Sequence, residues 1–99
     1  YKFTLGVTYN TSRAKLEQLM ADLTAMLEAS PYVEKGSALV RLTSFGDSSI
    51  NLLVSAYLLT NQAGTFLQMQ NDLNLNVMDV MQKNNVDFAF PSTTVYLSK

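Results

Sequence analysis

Hydrophobic and polar positions change period along the chain, and each change marks an element. In "YKFTLGVTY", Phe3, Leu5, Val7 and Tyr9 alternate with Thr4 and Thr8. A period of two over this length predicts a half-buried strand. "NTS" follows, and Thr11 or Ser12 can cap a helix with its hydroxyl. In "RAKLEQLMADLTAMLEAS", residues Leu16, Leu19, Met20, Leu23, Met26 and Leu27 recur at steps of three and four. They form one apolar stripe, and four alanines add helix propensity. Ser30-Pro31 ends the helix, because the residue before proline avoids the helical region. "YVEKGS" reads as a loop turning at Gly36.

Two further strands are expected in "ALVRLTSF" and "INLLVSAYL". Ile50, Leu52, Val54 and Ala56 make one face of the second, and Leu53, Tyr57 and Leu59 the other. Apolar residues on both faces place this strand centrally. A second helical stripe runs through Phe66, Leu73, Val77, Val80 and Met81, flanked by Met69 and Met78, with Thr60 or Asn61 as cap. Asn84-Asn85 can close it, since Asn tolerates the left-handed conformation. "VDFAF" then predicts a short strand that Pro91 breaks, and "STTVYLS" is a last β-prone run. The order is β-α-β-β-α-β plus a trailing strand. With right-handed crossovers this gives an α+β, ferredoxin-like sandwich: two helices on one face of a four-stranded antiparallel sheet. Residues 1–91 form the domain, and residues 92–99 the trailing strand.

Ninety-nine residues make one domain, and the composition narrows its partners. Charged residues are 15% of the chain and apolar ones 47%, against a usual charged fraction of about 25%. A surface so lean in charge suits an assembly better than a monomer. Net charge is −1 and the seven basic residues are scattered. Nucleic-acid affinity needs a clustered basic patch, so no nucleic-acid partner is expected. The chain has no cysteine, which removes disulfides, zinc knuckles and thiol nucleophiles. No apolar run reaches the ~18 residues of a membrane span. The chain opens on Tyr1 in strand-like sequence and reads as part of a longer protein.

The chemistry turns on "FGDSS". Gly46-Asp47-Ser48 between apolar runs is the nucleophile motif of GDS-type ester hydrolases, or a tight turn. A serine nucleophile needs a base, and the chain has no histidine. Lys35 and Lys83 are the loop lysines that would have to serve. The turn accounts for more. Pairing Leu42 with Leu52 and Val40 with Val54 aligns the apolar faces. It sets Phe45 opposite Ser49 and leaves Gly46, Asp47 and Ser48 as a three-residue loop, a kind that combines a type I turn with a left-handed residue. Asp47 can fold its carboxylate onto nearby backbone N–H groups. Carboxylates without His or Cys, among them Asp22, Asp47, Asp72, Asp79 and Asp87, read as solvated side chains rather than a metal site. Met20, Met26 and Met81 read as core packing. No glycine-rich phosphate loop occurs. A non-catalytic domain without metal or cofactor is expected.

Three features, in order and at these spacings, carry a resemblance that runs nearly end to end. A strand ends at Tyr9 before a short polar cap and a helix. Phe45-Gly46-Asp47-Ser48-Ser49 leads into an apolar strand. A helix closes into Val86-Asp87-Phe88-Ala89-Phe90-Pro91, followed by Thr94-Val95-Tyr96-Leu97. Together they resemble the carboxyl-terminal cytoplasmic domain of the small-conductance mechanosensitive channel (MscS) family. Asn84-Asn85 departs from it, the family usually having a glycine nearby. The resemblance implies a homoheptameric channel of the cell (inner) membrane, opening under membrane tension, anchored by upstream segments. This domain would wall a cytoplasmic vestibule. Phe90, Pro91, Thr93, Thr94, Val95, Tyr96 and Leu97 would make inter-subunit contacts, with Thr93–Leu97 joining its copies in a small parallel barrel. The residues support such a role, since Pro91 cannot donate to a ladder and a β-prone run beyond it needs backbone partners. Two alternatives stay open: residues 93–97 extend the domain's own edge strand, or the whole is a soluble ferredoxin-like ligand-binding or regulatory module.

Overall fold

The structure, a computed structural model, describes residues 1–89. The elements run β1 (Lys2–Val7), α1 (Arg13–Ala29), β2 (Leu39–Phe45), β3 (Ile50–Ser55) and α2 (Ala63–Lys83). The fold is α+β, with a three-stranded sheet in the order β1-β3-β2 and antiparallel pairing on both sides of β3. Leu5 and Val7 stand opposite Leu52 and Ile50, and Val40 stands opposite Val54. All six are buried. Directly opposed residues share a sheet face, so one face carries the strand contribution to the core. Leu16, Leu19, Leu23 and Leu27 of α1 and Leu73, Val77 and Met81 of α2 complete the same cluster. Met20, Met26 and Val80 pack at its margin.

The local chemistry explains the element ends. Ser12 caps α1, its hydroxyl accepting from the Lys15 N–H. Ser30 ends it in extended geometry ahead of Pro31. The cap of α2 differs from expectation: Gln62 occupies it, without a side-chain cap bond. Thr60 acts two residues earlier, its hydroxyl accepting from the Gln62 N–H. Asn85 closes α2 with φ 55°, and Gly36 takes φ 82° in the loop after α1. Asn and Gly are the residues that enter this left-handed region at least cost.

The central placement of β3 agrees with its composition, but its length and second face do not. It stops at Ser55 with one more bond in the β1–β3 register, and the residues from Tyr57 on bond to the loop after α1. The Ala56 N–H donates to the Tyr1 carbonyl, and the Tyr57 carbonyl accepts from Glu34. An isolated antiparallel bridge joins Leu58 to Val33. Tyr57 and Leu59 are exposed instead of lining a second apolar face.

The expected fourth strand is present among the described residues as one antiparallel bridge, Val7 to Phe88, not as a ladder. Two backbone bonds flank it, Thr8 N–H to the Asp87 carbonyl at 3.2 Å and Ala89 N–H to the Gly6 carbonyl at 2.9 Å. Phe90 lies outside the described residues.

Leu52 is fully buried on the central strand. Leu52→Ala should cost ~2–5 kcal/mol of unfolding free energy, whereas Leu67→Ala on the exposed side of α2 should stay within about 0.5 kcal/mol. Urea titration of both variants against the parent chain checks the contrast.

Candidate functional site

The β2–β3 hairpin forms differently from its expected three-residue loop. Leu42 does pair with Leu52, but the register then shifts, and Ser44 and Phe45 pair with Asn51 and Ile50. Thr43 is the additional residue, a bulge within β2. The bulge absorbs the odd residue, so Phe45 opposes Ile50 rather than Ser49. Gly46, Asp47, Ser48 and Ser49 form the tip, closed by the Gly46 N–H donating to the Ser49 carbonyl at 2.7 Å. With the odd residue placed inside the strand, the tip needs no left-handed residue, and none of these four has a positive φ.

Asp47 is exposed, and other side chains hold the tip. The Ser49 hydroxyl donates to the Asn51 carboxamide oxygen at 2.7 Å. The Asn51 amide donates onward to the Ser44 hydroxyl at 3.0 Å. From the end of β1, the Tyr9 hydroxyl donates to the Gly46 carbonyl. A Cβ at Gly6 would come within 3.3 Å of the Ser49 Cβ and 3.9 Å of the Ala89 Cβ. A side chain there would crowd the hairpin tip, and Gly6 therefore lets β1 run closely beneath it.

In this geometry the Ser49 hydroxyl is engaged within the hairpin tip. An amide oxygen is too weak a base to take a proton from Ser49. Lys35 Nζ donates to the Glu28 carbonyl at 2.6 Å. Lys83 Nζ lies 3.7 Å from the Asp22 carboxylate. Among the described residues no three His, Cys, Asp or Glu side chains converge on a metal position.

The carboxylates instead pin segments distant in sequence. Asp22 accepts from Asn84 at 3.0 Å and Gln18 at 2.8 Å, tying α1 to the end of α2. Those bonds, then the Lys83 charge, hold its carboxyl below the usual range. Glu28 accepts from the Gly36 and Ala38 N–H groups at 2.8 and 3.0 Å, which folds the loop back onto α1 and lowers its pKa. The Tyr32 hydroxyl donates to Asp72 at 2.9 Å, lowering the carboxyl and raising the phenol. No local sequence signal marks these pairs, which are 62, 8 and 40 residues apart.

One open apolar groove runs between β1 and α2. It has a volume of about 370 Å³ and is lined by Tyr1, Phe3, Gln70, Asn74, Val77, Met78 and Phe88. Tyr1 and Phe3 meet edge to face at 5.5 Å. The Tyr1 hydroxyl donates to Asn74 at 2.7 Å, and burial pushes its pKa up to about 12. Pro91, Thr93, Thr94, Val95, Tyr96 and Leu97, like Phe90, lie outside the described residues.

Compared with known proteins, residues 1–88 match the family model "Mechanosensitive ion channel MscS, C-terminal". The chain belongs to the MscS family. It is 37% identical to an uncharacterized MscS family protein of Aquifex aeolicus, over 99% of this chain and 27% of that protein. It is 33% identical to the low conductance mechanosensitive channel YnaI of Escherichia coli, over 95% of this chain and 27% of that protein. With the small-conductance mechanosensitive channel MscMJ of Methanocaldococcus jannaschii it shares 29% identity, over 97% and 27% respectively. This MscS domain thus spans about a quarter of the length of these relatives. Among its described residues no helix is long and apolar enough to cross a membrane.

The three carboxylates predict an acid limb of stability for the MscS domain. Their unfolded pKa values are about 4 and their folded values are lower. Their contribution is therefore complete above about pH 5, declines as pH falls through the folded values, and is absent below them. The raised Tyr32 acts with the opposite sign, contributing below its unfolded pKa of about 10 and losing that contribution as pH rises through its folded value. Tyr32→Phe should lower stability more at pH 7 than at pH 2.5. Equal losses in urea titrations at the two pH values would contradict this.

Proposed function

We propose that this domain is a non-catalytic wall and assembly domain of a mechanosensitive ion channel. It stands on the cytoplasmic side of the cell (inner) membrane in a homoheptamer, and upstream segments sense tension and form the pore. The observation that carries this reading is the family match over residues 1–88. The hairpin chemistry supports it, because Ser49 is committed to an amide oxygen while Lys35, in the loop after α1, and Lys83, which ends α2 rather than lying in a loop, bond elsewhere. A fold held by distant polar pins suits a part that must keep its shape while the membrane portion moves.

The domain closes as a ferredoxin-like β-α-β-β-α-β sandwich, with the segment from Val86 as a fourth strand on the outer edge of β1. The bridge at Phe88 and the order β1-β3-β2 support that topology. Pro91 is the boundary between the domain and its tail. Thr93, Thr94, Val95, Tyr96 and Leu97 then pair with the same residues of neighbouring subunits in a small parallel barrel. Their β-prone composition supports that pairing, as a closed barrel removes exposed strand edges.

The full-length protein in liposomes, patched under graded suction, tests this. A current that opens with tension is expected, and deletion of Thr93–Leu97 should lower the fraction of assembled oligomer. A full-length protein that stays out of the membrane, or a bilayer silent under tension, would overturn it.

A further inference from the structure

Between Asp47 and Asp72 the chain carries no charged residue. The part of this stretch in β3 is largely buried, but the part after it lies open. Tyr57 is 73% exposed, Leu59 57% and Leu67 62%. Phe66 and Leu67 line an open hollow of about 450 Å³ next to Thr60 and Asn61. Single exposed apolar residues are ordinary on a protein surface. Three this large on one uncharged stretch, with a phenylalanine beside them, have the composition of an interface core, where aromatic residues are enriched and charges depleted.

This is also the end of the domain at which the chain enters. Lys2 pairs with Ser55, and the Ala56 N–H donates to the Tyr1 carbonyl at 2.9 Å. Tyr57 and Leu59 thus follow directly on the point where the first residue is tied to the sheet. Their backbone is fixed there, the Tyr57 carbonyl accepting from Glu34 and the Leu59 N–H donating to the Tyr32 carbonyl, both at 2.9 Å. A surface held in place before its partner arrives loses little freedom on binding. The matching family model is the C-terminal one, and the chain spans 27% of the length of YnaI. In a parent of that length, most of the polypeptide precedes Tyr1 and reaches the domain beside these residues.

We propose that the uncharged patch of Tyr57, Leu59, Phe66 and Leu67 docks the part of the same polypeptide that immediately precedes this domain. The occupant is chosen by reach and chemistry. A segment leading into Tyr1 is held covalently next to Tyr57, and so meets the patch at a high effective concentration. The docked surface is apolar, because a charge pressed against these residues would lose its water without gaining a counter-charge. Docking here sets the angle between the domain and the upstream part through the end of β3. The proposal rests on the channel-family reading only for the upstream part, and it holds whatever that part does.

Photo-cross-linking in the full-length protein tests it. p-Benzoylphenylalanine replaces Leu59, Leu67 or, as a control, the exposed Leu75 further along α2, and mass spectrometry maps the cross-linked peptides. Positions 59 and 67 should join peptides upstream of Tyr1 in a product that runs as a single chain on a denaturing gel, and position 75 should do so several-fold less. Cross-links from 59 and 67 that run only to other chains, or none to upstream peptides, would overturn the proposal. The double variant Leu59→Ser with Leu67→Ser should still fold, as both side chains face solvent in the domain, and should be cut several-fold faster by protease just upstream of Tyr1. An unchanged cutting rate would count against docking. Currents recorded under tension report separately on the channel reading.

Discussion

The fold depends on β3 being paired on both sides while burying one face. Ile50, Leu52 and Val54 are buried against the helices, and their neighbours in the sheet are Val7, Leu5 and Phe3 of β1 on one side and residues of β2 on the other. A shift of one residue on either side would turn a whole strand over and expose its apolar set. The helices add leucines to a surface that this register has already defined. The bulge at Thr43 is the local consequence. It lets the apolar alignment of Val40 and Leu42 persist while the chain still closes at Gly46 and Ser49.

The residues that looked most like chemistry serve this arrangement. Ser49 and Asn51 hold the hairpin tip, with Tyr9 reaching it from β1. Asp22, Glu28 and Asp72 join the helices and the loop after α1. Such bonds are worth little while their partners stay fully solvated, but together they fix the relative placement of elements that the apolar contacts alone would leave adjustable. The MscS family match covers nearly all of the elements these bonds hold together.

Much of this could be read in the chain, for a physical reason. Periodicity reports burial, so the four leucines of α1 and the core face of β3 were legible, as were the proline that ends α1 and the Asn pair that closes α2. Features decided by tertiary contact were not. Tyr57 and Leu59 look like strand residues, yet the backbone there bonds to the loop after α1. The Thr43 bulge was hidden because sequence spacing fixes the parity of a hairpin only if both strands are regular. Thr60 and Asn61 both carry capping side chains, but α2 begins at Ala63 and its cap falls on Gln62, which offers no cap bond. The pins at Asp22 and Asp72 left no signal, since their partners, Asn84 just past α2 and Tyr32 in the loop after α1, are ordinary polar residues far away in sequence.

Native-state hydrogen exchange at β3 tests the central constraint most directly. If the doubly paired strand is the last element to open, the Leu52 and Val54 amides will exchange only through global unfolding, with the free energy measured by urea titration. Exchange of these amides at a far lower free energy, through local opening while α1 stays protected, would contradict it.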